Sequence, residues 1–399
     1  MTARSLSMIR SVFFWTHLVM GITGGIIIFI MSLTGVLLGF ERQLIASLDG
    51  APVATVPSAQ ATRLDVDQLL ARSGASADPI ASIAIKAGAQ EPVTIRFRDR
   101  ERPSLLVNPY TADVIPPVTG GKTAAFMSWL RGWHRWLGVT GESRPLARAI
   151  TGACNAAFLL LVLTGFVIWL PRRLSAAAFR TAAIFNVRLA GKARDFNWHN
   201  SLGIWSALPL AAVVATAMFI SYQWPGRLLD KYFGNPRERA AATAIPSTPG
   251  TANTSRPSGE AGEPRPGNSL VPLAGMMQTV TMTRPEWQSI TITIPPRPDS
   301  ALQFAVAEGN TYRPDLRHQY FFDASTAQLL RTSNYDSLST SRKIRAWYRF
   351  GHTGEVFGVT GQLIATLVSF VGVVLVYTGF ALSWRRLAAF LRRRRRGIA

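Results

Sequence analysis

Cysteine is almost absent from this chain of 399 residues, in which Cys154 is the only one. A disulfide bond within the chain is therefore excluded, and every folded part must hold together by packing. Cys154 lies inside an apolar run, where a thiol is expected to pack against its neighbours rather than to react.

Acidic residues are also few, since 22 Asp and Glu stand against 43 Lys and Arg and give a formal net charge of +21. Such an excess is compatible with nucleic-acid binding or with attraction to anionic lipid headgroups. The basic residues cluster at the ends of apolar runs, which favours the lipid interpretation. We therefore expect a membrane surface and no nucleic acid as the partner of these charges.

Charge is missing altogether from four long runs, each long enough to cross about 30 Å of hydrocarbon as a helix. The predicted spans are Leu18–Phe40, Ala149–Leu170, Leu202–Trp224 and Val356–Trp384. The first run is longer than the apolar core of about 7–15 residues found in secretion signals. We therefore predict that it is an uncleaved membrane helix.

Basic residues near the spans predict the orientation of the chain, because they favour the cytoplasmic side. They precede the first span, fill the loop 171–198 and dominate the tail 385–399. We expect both termini in the cytoplasm. The long segments 41–130 and 225–345 are then expected outside, in a periplasm or its equivalent.

The two long segments repeat one order of predicted elements. The first has a short helix at 64–70, strands at 83–86, 93–98 and 104–107, and a turn at 108–111. The second has a helix at 273–283, strands at 289–294, 302–307 and 319–322, and a turn at 323–326. We predict two small α+β lobes within an internal two-fold repeat, with a disordered insertion at 234–268 in the second.

Histidine is rare, and four of the five histidines stand beside the apolar runs. These four are His17, His134, His199 and His352, whereas His318 is far from any run and is expected at a lobe surface. Ionisable residues at membrane helix ends indicate function, because they are costly in lipid. The orientation places two of the four on each side of the membrane.

Each side of the membrane receives one histidine from each half of the chain, His17 with His199 and His134 with His352. Two facing imidazoles bind a haem iron from both sides, which leaves no site for oxygen and suits electron transfer. One haem near each face would shorten the path across about 30 Å of core. We predict that the four histidines are axial ligands of two b-type haems.

Other interpretations of these patterns stay open. Interfacial anchoring beside tryptophan explains a single histidine, and zinc would need further ligands. Mostly small residues at helical spacing make room either for close helix packing or for a flat macrocycle. They are Gly21, Gly25, Ile28, Ser32, Gly35 and Gly39 in the first span, and Gly361, Ala365, Ser369, Gly372 and Gly379 in the last.

Signatures of hydrolytic and nucleotide-dependent enzymes are not recognisable in the sequence. There is no Ser/His/Asp or Cys/His set, no phosphate-binding loop and no dinucleotide fingerprint. The cytoplasmic segments are also too short for a flavin or nicotinamide domain. The electron donor is therefore expected to be a cytoplasmic protein or a membrane quinol.

Several motifs together resemble the PepSY-associated transmembrane family. Those motifs are His17 through Gly21, Ser32-Leu33-Thr34-Gly35, Phe40-Glu41-Arg42, Trp133-His134-Arg135-Trp136, the run Tyr-Phe-Phe-Asp-Ala-Ser-Thr at 320–326, and Gly351-His352-Thr353-Gly354. The chain departs from the family pattern where Ala112 and Ala327 replace the usual glycine after a turn.

The resemblance implies membrane helices with PepSY-like periplasmic lobes, and an inner-membrane ferrisiderophore reductase that carries haem and reduces ferric siderophores in the periplasm. The alternative is a non-redox scaffold that binds or regulates a periplasmic protein. A permease is disfavoured, because the spans hold no charged groups. The expected segments are 1–40, 41–130, 131–170, 171–198, 199–224, 225–345, 346–384 and 385–399.

Overall fold

The computed structural model describes residues 3–99, 101–116, 121–170, 175–235, 272–296 and 300–395. The chain divides into two compact units. The helical unit comprises Met1–Ile45, Lys122–Leu228 and Trp347–Ala399, and the sheet unit comprises Ala46–Gly121 and Leu229–Ala346. The predicted insertion at 234–268 lies, except for its first two residues, outside the described ranges.

The helices in the described ranges are numbered here in chain order. They are α1 (Ala3–Leu38), α2 (Glu41–Leu48), α3 (Val66–Arg72), α4 (Lys122–Trp136), α5 (Arg144–Trp169), α6 (Ala176–Ala183), α7 (Gly191–Ser221), α8 (Trp224–Phe233), α9 (Leu273–Thr283), α10 (Thr340–Thr353) and α11 (Gly358–Arg395).

Four helical stretches are long and apolar enough to cross a membrane, which confirms the number and order of the predicted spans. They are Met8–Leu38, Gly141–Trp169, Gly191–Ser221 and Glu355–Arg395. Both α1 and α7 pack against α5 and α11, so the four long helices form a ring of neighbours. Large side chains such as Ile26 and Leu208 stay exposed on the bundle, as contact with lipid requires.

The long helices extend beyond the apolar runs at several ends. Both α1 and α7 begin well before the runs at Leu18 and Leu202, so His17 and His199 lie inside helices rather than at their edges. Polar residues with good helix propensity can extend a helix beyond its apolar run. A search for apolar runs therefore does not predict where such a helix begins. His134 and His352 lie on α4 and α10, the separate helices before α5 and α11.

The sheet unit contains the strands predicted for both lobes and joins them in one sheet. Its strands are β1 (Ile80–Lys86), β2 (Val93–Phe97), β3 (Leu105–Val107), β4 (Val114–Ile115), β5 (Trp287–Thr293), β6 (Leu302–Glu308), β7 (Arg317–Phe322) and β8 (Leu329–Asn334). They form one antiparallel sheet in the order β4-β3-β2-β1-β5-β6-β7-β8. Ile83 of β1 lies opposite Ile292 of β5. This pairing satisfies two strands that would otherwise be exposed edges.

Both short helices of the sheet unit pack on its buried strands. Leu69 and Leu70 of α3 and Met276 of α9 belong to the same apolar core as the inward residues of β1 and β5. Asp67 of α3 accepts hydrogen bonds from the first two backbone N–H groups of α9, at 2.8 and 2.9 Å. A carboxylate satisfies such free donors at a helix N-terminus, so residues from the two halves of the chain stabilise each other.

Each half contains the predicted Asx-type turn. Asn108 Oδ1 accepts from the Tyr110 N–H, and Asp323 Oδ1 accepts from the Ser325 N–H. Ala112 and Ala327 close these turns with positive φ angles of 66° and 59°. Alanine therefore occupies the left-handed conformation that normally favours glycine.

Candidate functional site

The structure brings His17 of α1 and His199 of α7 together. Their ring centres are 6.2 Å apart, and their ring planes make an angle of 82°. This is one of the two pairs that the sequence predicts, and we call it the first pair.

His134 of α4 and His352 of α10 form the other predicted pair. Their ring centres are 6.3 Å apart, with an angle of 51° between the rings. A Gly-Val-Thr-Gly motif follows His134 by four residues, at 138–141, and follows His352 by six, at 358–361. This difference in spacing does not prevent the second pair from forming. In both pairs, one histidine comes from each half of the chain.

Threonine hydroxyls hold the first pair. His17 Nδ1 lies 3.0 Å from Thr164 Oγ1, and His199 Nδ1 lies 2.9 Å from Thr378 Oγ1. Each threonine donates its own hydroxyl hydrogen to a carbonyl one turn earlier, at 2.7 Å for Thr164 and 2.8 Å for Thr378. A hydroxyl whose hydrogen is used in this way can only accept from the ring. The proton therefore lies on Nδ1, and Nε2 keeps a free lone pair.

Hydrogen bonds to Nδ1 also hold the two rings of the second pair. His134 Nδ1 lies 2.9 Å from Thr34 Oγ1, which donates to the Ile30 carbonyl at 2.6 Å. His352 Nδ1 donates to the Val213 carbonyl at 2.9 Å. A carbonyl oxygen has no proton to give, so the tautomer of His352 follows directly. All four histidines thus present Nε2 as the nitrogen available to a metal, which is how metal-binding histidines are normally oriented.

The spacing along α1 and α7 sets the distance between the two pairs. Thr34 follows His17 by 17 positions, and Thr216, which lies 3.3 Å from His352 Nδ1, follows His199 by the same number. Seventeen helical residues rise by about 26 Å. Each of these two helices thus carries a histidine of the first pair and a threonine beside the second.

The separation of the rings matches two ligands on one iron. A metal–imidazole bond is about 2 Å long, and covalent geometry puts a ring nitrogen roughly 1 Å from the ring centre. Two imidazoles on opposite faces of one metal therefore have ring centres about 6 Å apart, close to the separations of both pairs. In the described ranges, no group of three or more His, Cys, Asp or Glu side chains lies together, so each pair supplies two ligands.

A cavity of about 920 Å³ adjoins the first pair and includes both of its histidines in the lining. Large apolar side chains form most of the wall, which also contains five glycines, namely Gly21, Gly25, Gly165, Gly203 and Gly379. A Cβ atom on Gly165 would lie 3.2 Å from His17 Cε1, and one on Gly379 would lie 3.4 Å from His199 Cε1. Basic side chains also line the cavity: Lys192, Arg385, Arg386, Arg392 and Arg393. Its lining suits a flat apolar molecule with an anionic end.

Some small residues of the first and last spans line the cavity, and others lie where two helices pack closely. Gly21 and Gly25 line the cavity. Farther along α1, a Cβ atom on Gly35 would lie 3.3 Å from the Ser369 hydroxyl of α11. One on Gly372 would lie 2.9 Å from the Ser32 hydroxyl. Small residues near the first pair therefore leave room, and those near the second pair permit close helix packing.

The threonine acceptors are functional candidates that sequence reasoning missed. Three of the nine Thr-Gly dipeptides in the sequence are involved, Thr34-Gly35, Thr164-Gly165 and Thr378-Gly379, so the dipeptide alone is a weak signal. In each, the threonine holds a histidine Nδ1 and the glycine lies beside the same ring. The fourth threonine, Thr216, is followed by alanine, and there the Val213 carbonyl is the nearer acceptor.

His318 and Glu355 are ionisable residues that belong to neither histidine pair. His318 is part of β7, and its side chain is only 13% exposed, with Nε2 3.5 Å from Glu308 Oε2. The expectation of a surface residue is therefore wrong, and burial lowers the pKa of His318. Glu355 forms an ion pair with Arg42 at 3.2 Å and accepts from Thr353 at 2.9 Å, so its role is structural.

These features define a class, the multi-pass membrane proteins with an antiparallel sheet unit and paired histidines between their helices. A family model described as the PepSY-associated TM region matches residues 14–386. The chain belongs to the PepSY-associated transmembrane family, as its motifs indicate. No curated protein matches the chain significantly.

Proposed function

We propose that this chain is a di-haem electron-transfer protein of the bacterial inner membrane that reduces ferric siderophores in the periplasm. The observation that carries the proposal is the geometry of the two histidine pairs, with ring centres 6.2 and 6.3 Å apart. Hydrogen bonds to all four Nδ1 atoms leave Nε2 free for iron, as axial ligation requires.

The residues around each pair have separate tasks in this proposal. His17 and His199 hold one haem, and His134 and His352 hold the other. Haem held by these histidines would supply one-electron redox chemistry. Thr164, Thr378 and Thr34 fix the tautomers of three rings, and the Val213 carbonyl fixes that of His352. The basic residues of the cavity neutralise carboxylates at its end by charge-assisted hydrogen bonds.

The direction of electron flow follows from the proposed orientation, with both termini in the cytoplasm. The first pair then lies near the electron donor, a cytoplasmic protein or a membrane quinol. The second pair lies near the periplasm, where one electron converts the ferric ion of a siderophore to ferrous iron. Siderophores prefer the harder ferric ion, so reduction weakens the complex and releases the metal.

We further propose that the two halves are copies of one ancestral unit. The first half contains His17, Thr34, His134 and Thr164 in that order, and the second contains His199, Thr216, His352 and Thr378. Each half thus supplies one histidine to each pair, and holds both with its own threonines. Duplication explains why the two pairs have nearly the same separation.

Absorption spectra of the purified full chain test the haem assignment. We expect a Soret band that shifts on reduction with dithionite, and two haems for each chain. His17→Ala or His199→Ala should remove one haem, whereas His134→Ala or His352→Ala should remove the other. His318→Ala, the matched control in the sheet unit, should keep both. A colourless protein from haem-replete cells would contradict the proposal and favour a non-redox scaffold.

Anaerobic mixing tests the proposed substrate. The reduced protein is mixed with ferric siderophores, and the haem spectrum is followed in time. Reoxidation with formation of ferrous iron is the expected result. If no ferric chelate reoxidises the protein, the electron acceptor is not a siderophore, even if the haems are present.

A further inference from the structure

Five arginines gather at the end of the bundle that carries the second pair. Arg131 and Arg135 belong to α4, Arg144 and Arg148 to α5, and Arg349 to α10. Residues four apart share one face of a helix. Arg131 and Arg135 therefore lie on one face of α4, and Arg144 and Arg148 lie on one face of α5. Two members approach the ring of Trp136, with Arg135 at 4.6 Å and Arg144 at 4.5 Å from the ring centre. We call these five residues the arginine cluster.

The arginine cluster carries positive charge that its surroundings do not neutralise. In the described part of the chain, only Arg131 has a carboxylate partner, which is Glu41. Arg148 donates to the Ile220 carbonyl, a neutral acceptor. The charges of the other four arginines lie close enough to Arg135 to act on it electrostatically. Like charges held this close destabilise one another unless an anion joins them.

Neither helix stability nor membrane topology accounts for this arrangement. Arg144 is the first residue of α5, where the helix dipole disfavours a positive charge. Basic residues beside membrane spans normally mark the cytoplasmic side, but the arginine cluster lies at the end assigned to the periplasm. Its cost in stability therefore indicates a role in binding.

We propose that the arginine cluster binds carboxylate groups of an anionic ferric chelate and holds it beside the second histidine pair. This inference rests on the proposed function and names its substrate class. Guanidinium groups bind carboxylates through two parallel hydrogen bonds, which selects them over neutral ligands. Arg135 adjoins His134, and Arg349 precedes His352 by less than one turn, so a chelate bound there lies close to the second pair.

The test uses gallium(III) citrate, which resembles an anionic ferric chelate in charge and cannot be reduced under these conditions. Binding to the full chain in phosphatidylcholine nanodiscs is measured by titration calorimetry. The double variant Arg135→Gln/Arg144→Gln should bind at least tenfold more weakly, and Arg349→Gln alone should also lose affinity. The matched control Arg180→Gln/Arg188→Gln, which removes equal charge from the 171–198 loop and α6, should bind as the unaltered chain does.

Two further measurements define what the site recognises. A gallium tris-hydroxamate complex without net negative charge should bind no better to the unaltered chain than to the double variant. Anionic lipid headgroups share the chemistry of the ligand, so the titration is repeated with phosphatidylglycerol in the nanodiscs. Unchanged affinity supports a chelate site, whereas loss of gallium citrate binding assigns the arginine cluster to lipid and overturns the proposal.

The proposed anion site would also be overturned if the unaltered chain and the double variant bind gallium citrate with equal affinity, or if neither binds it. Circular dichroism of each variant separates lost binding from lost folding, and the single Arg349→Gln variant remains informative if the double variant does not fold. Because the titration needs neither haem nor electron transfer, its failure leaves the haem assignment intact. Conversely, a haem-free chain that binds gallium citrate would refute the redox function and keep the anion site.

Discussion

At the scale of single residues, the main finding is how threonine controls histidine. A ring nitrogen can bind a metal only if its proton lies on the other nitrogen. Thr34, Thr164 and Thr378 impose that state through hydroxyls already committed to helix carbonyls. The histidines are therefore oriented before any cofactor enters, which lowers the cost of binding one.

Replacing Thr164 with valine tests this control. The substitution keeps the shape of the side chain and removes the oxygen that accepts from His17 Nδ1. We expect the affinity of the first pair for haem iron to fall about 10- to 100-fold. The measurement is the transfer of haem to an excess of an apo-globin, which should become faster. Thr164→Ser should retain most of the affinity. Thr23→Val, which removes a hydroxyl bonded only within α1, is the matched control and should have no effect.

The two Asx turns predict a difference in pH dependence between the halves. Asp323 accepts from the Ser325 hydroxyl and from two backbone N–H groups, which lowers its pKa to about 2. Its contribution to stability is present above the unfolded pKa of about 4 and is lost as the pH falls from there towards 2. Hydrogen exchange near β7 and β8 should accelerate over this range. The turn at Asn108, which cannot titrate, is the internal control, and Asp323→Asn should remove the dependence.

At the scale of elements, α1 and α7 act as spacers. The 17 positions between histidine and threonine keep the two pairs about 26 Å apart, while glycine on α1 adjusts what fits beside each pair. Gly25 is the most confined of these, since a Cβ atom there would lie 2.7 Å from the Phe380 ring. The neighbouring Gly24 has more room, because its Cβ atom would lie 3.5 Å from Ile28.

Gly25→Ala should therefore push Phe380, which lines the cavity of the first pair. Overpacking of this kind costs about 1–3 kcal/mol, and we expect fewer haems at the first pair with the second pair unaffected. Counting haems by pyridine haemochrome absorbance in the His134→Ala background isolates the first pair. Gly24→Ala is the matched control and should keep its haem. Equal losses from both variants would contradict the steric explanation.

At the scale of the whole molecule, strands from segments about 200 residues apart in the chain form one sheet. Ile292 of β5 is fully buried and faces Ile83 of β1 across the centre of that sheet. Because α3 and α9 share the same core, the sheet unit should lose its structure as one body. Two independent lobes would instead respond separately.

Ile292→Ala tests this cooperativity in the full chain. The loss of buried methyl groups should cost about 3 kcal/mol, and hydrogen exchange should accelerate equally in β2 of the first half and β6 of the second. Leu330→Ala on the exposed strand β8 is the control and should change the unfolding free energy by about 0.5 kcal/mol or less. Acceleration confined to β6 would show that the halves unfold independently.

The amino-acid sequence by itself determined the four membrane helices, most strands and which four histidines lie in pairs. These features follow from local patterns, such as runs without charge, alternation of Ile and Thr in β5, and rare residues at repeated positions. Each histidine was assigned to one side of the membrane and to one half of the chain, and this assignment predicted the correct pairs. It needs only the order of the spans along the chain.

Only the tertiary structure decided which atoms hold the rings and how the two sheet halves meet. His17 and Thr164 are 147 positions apart, and their hydrogen bond depends on how α1 and α5 pack, which leaves no periodic trace in either segment. The pairing of β1 with β5 likewise joins strands from the two halves of the chain. Their edge hydrogen bonds form only when both halves are folded together. Contacts of this kind arise from the packing of whole elements, whereas the elements themselves arise from short-range patterns of polarity and shape.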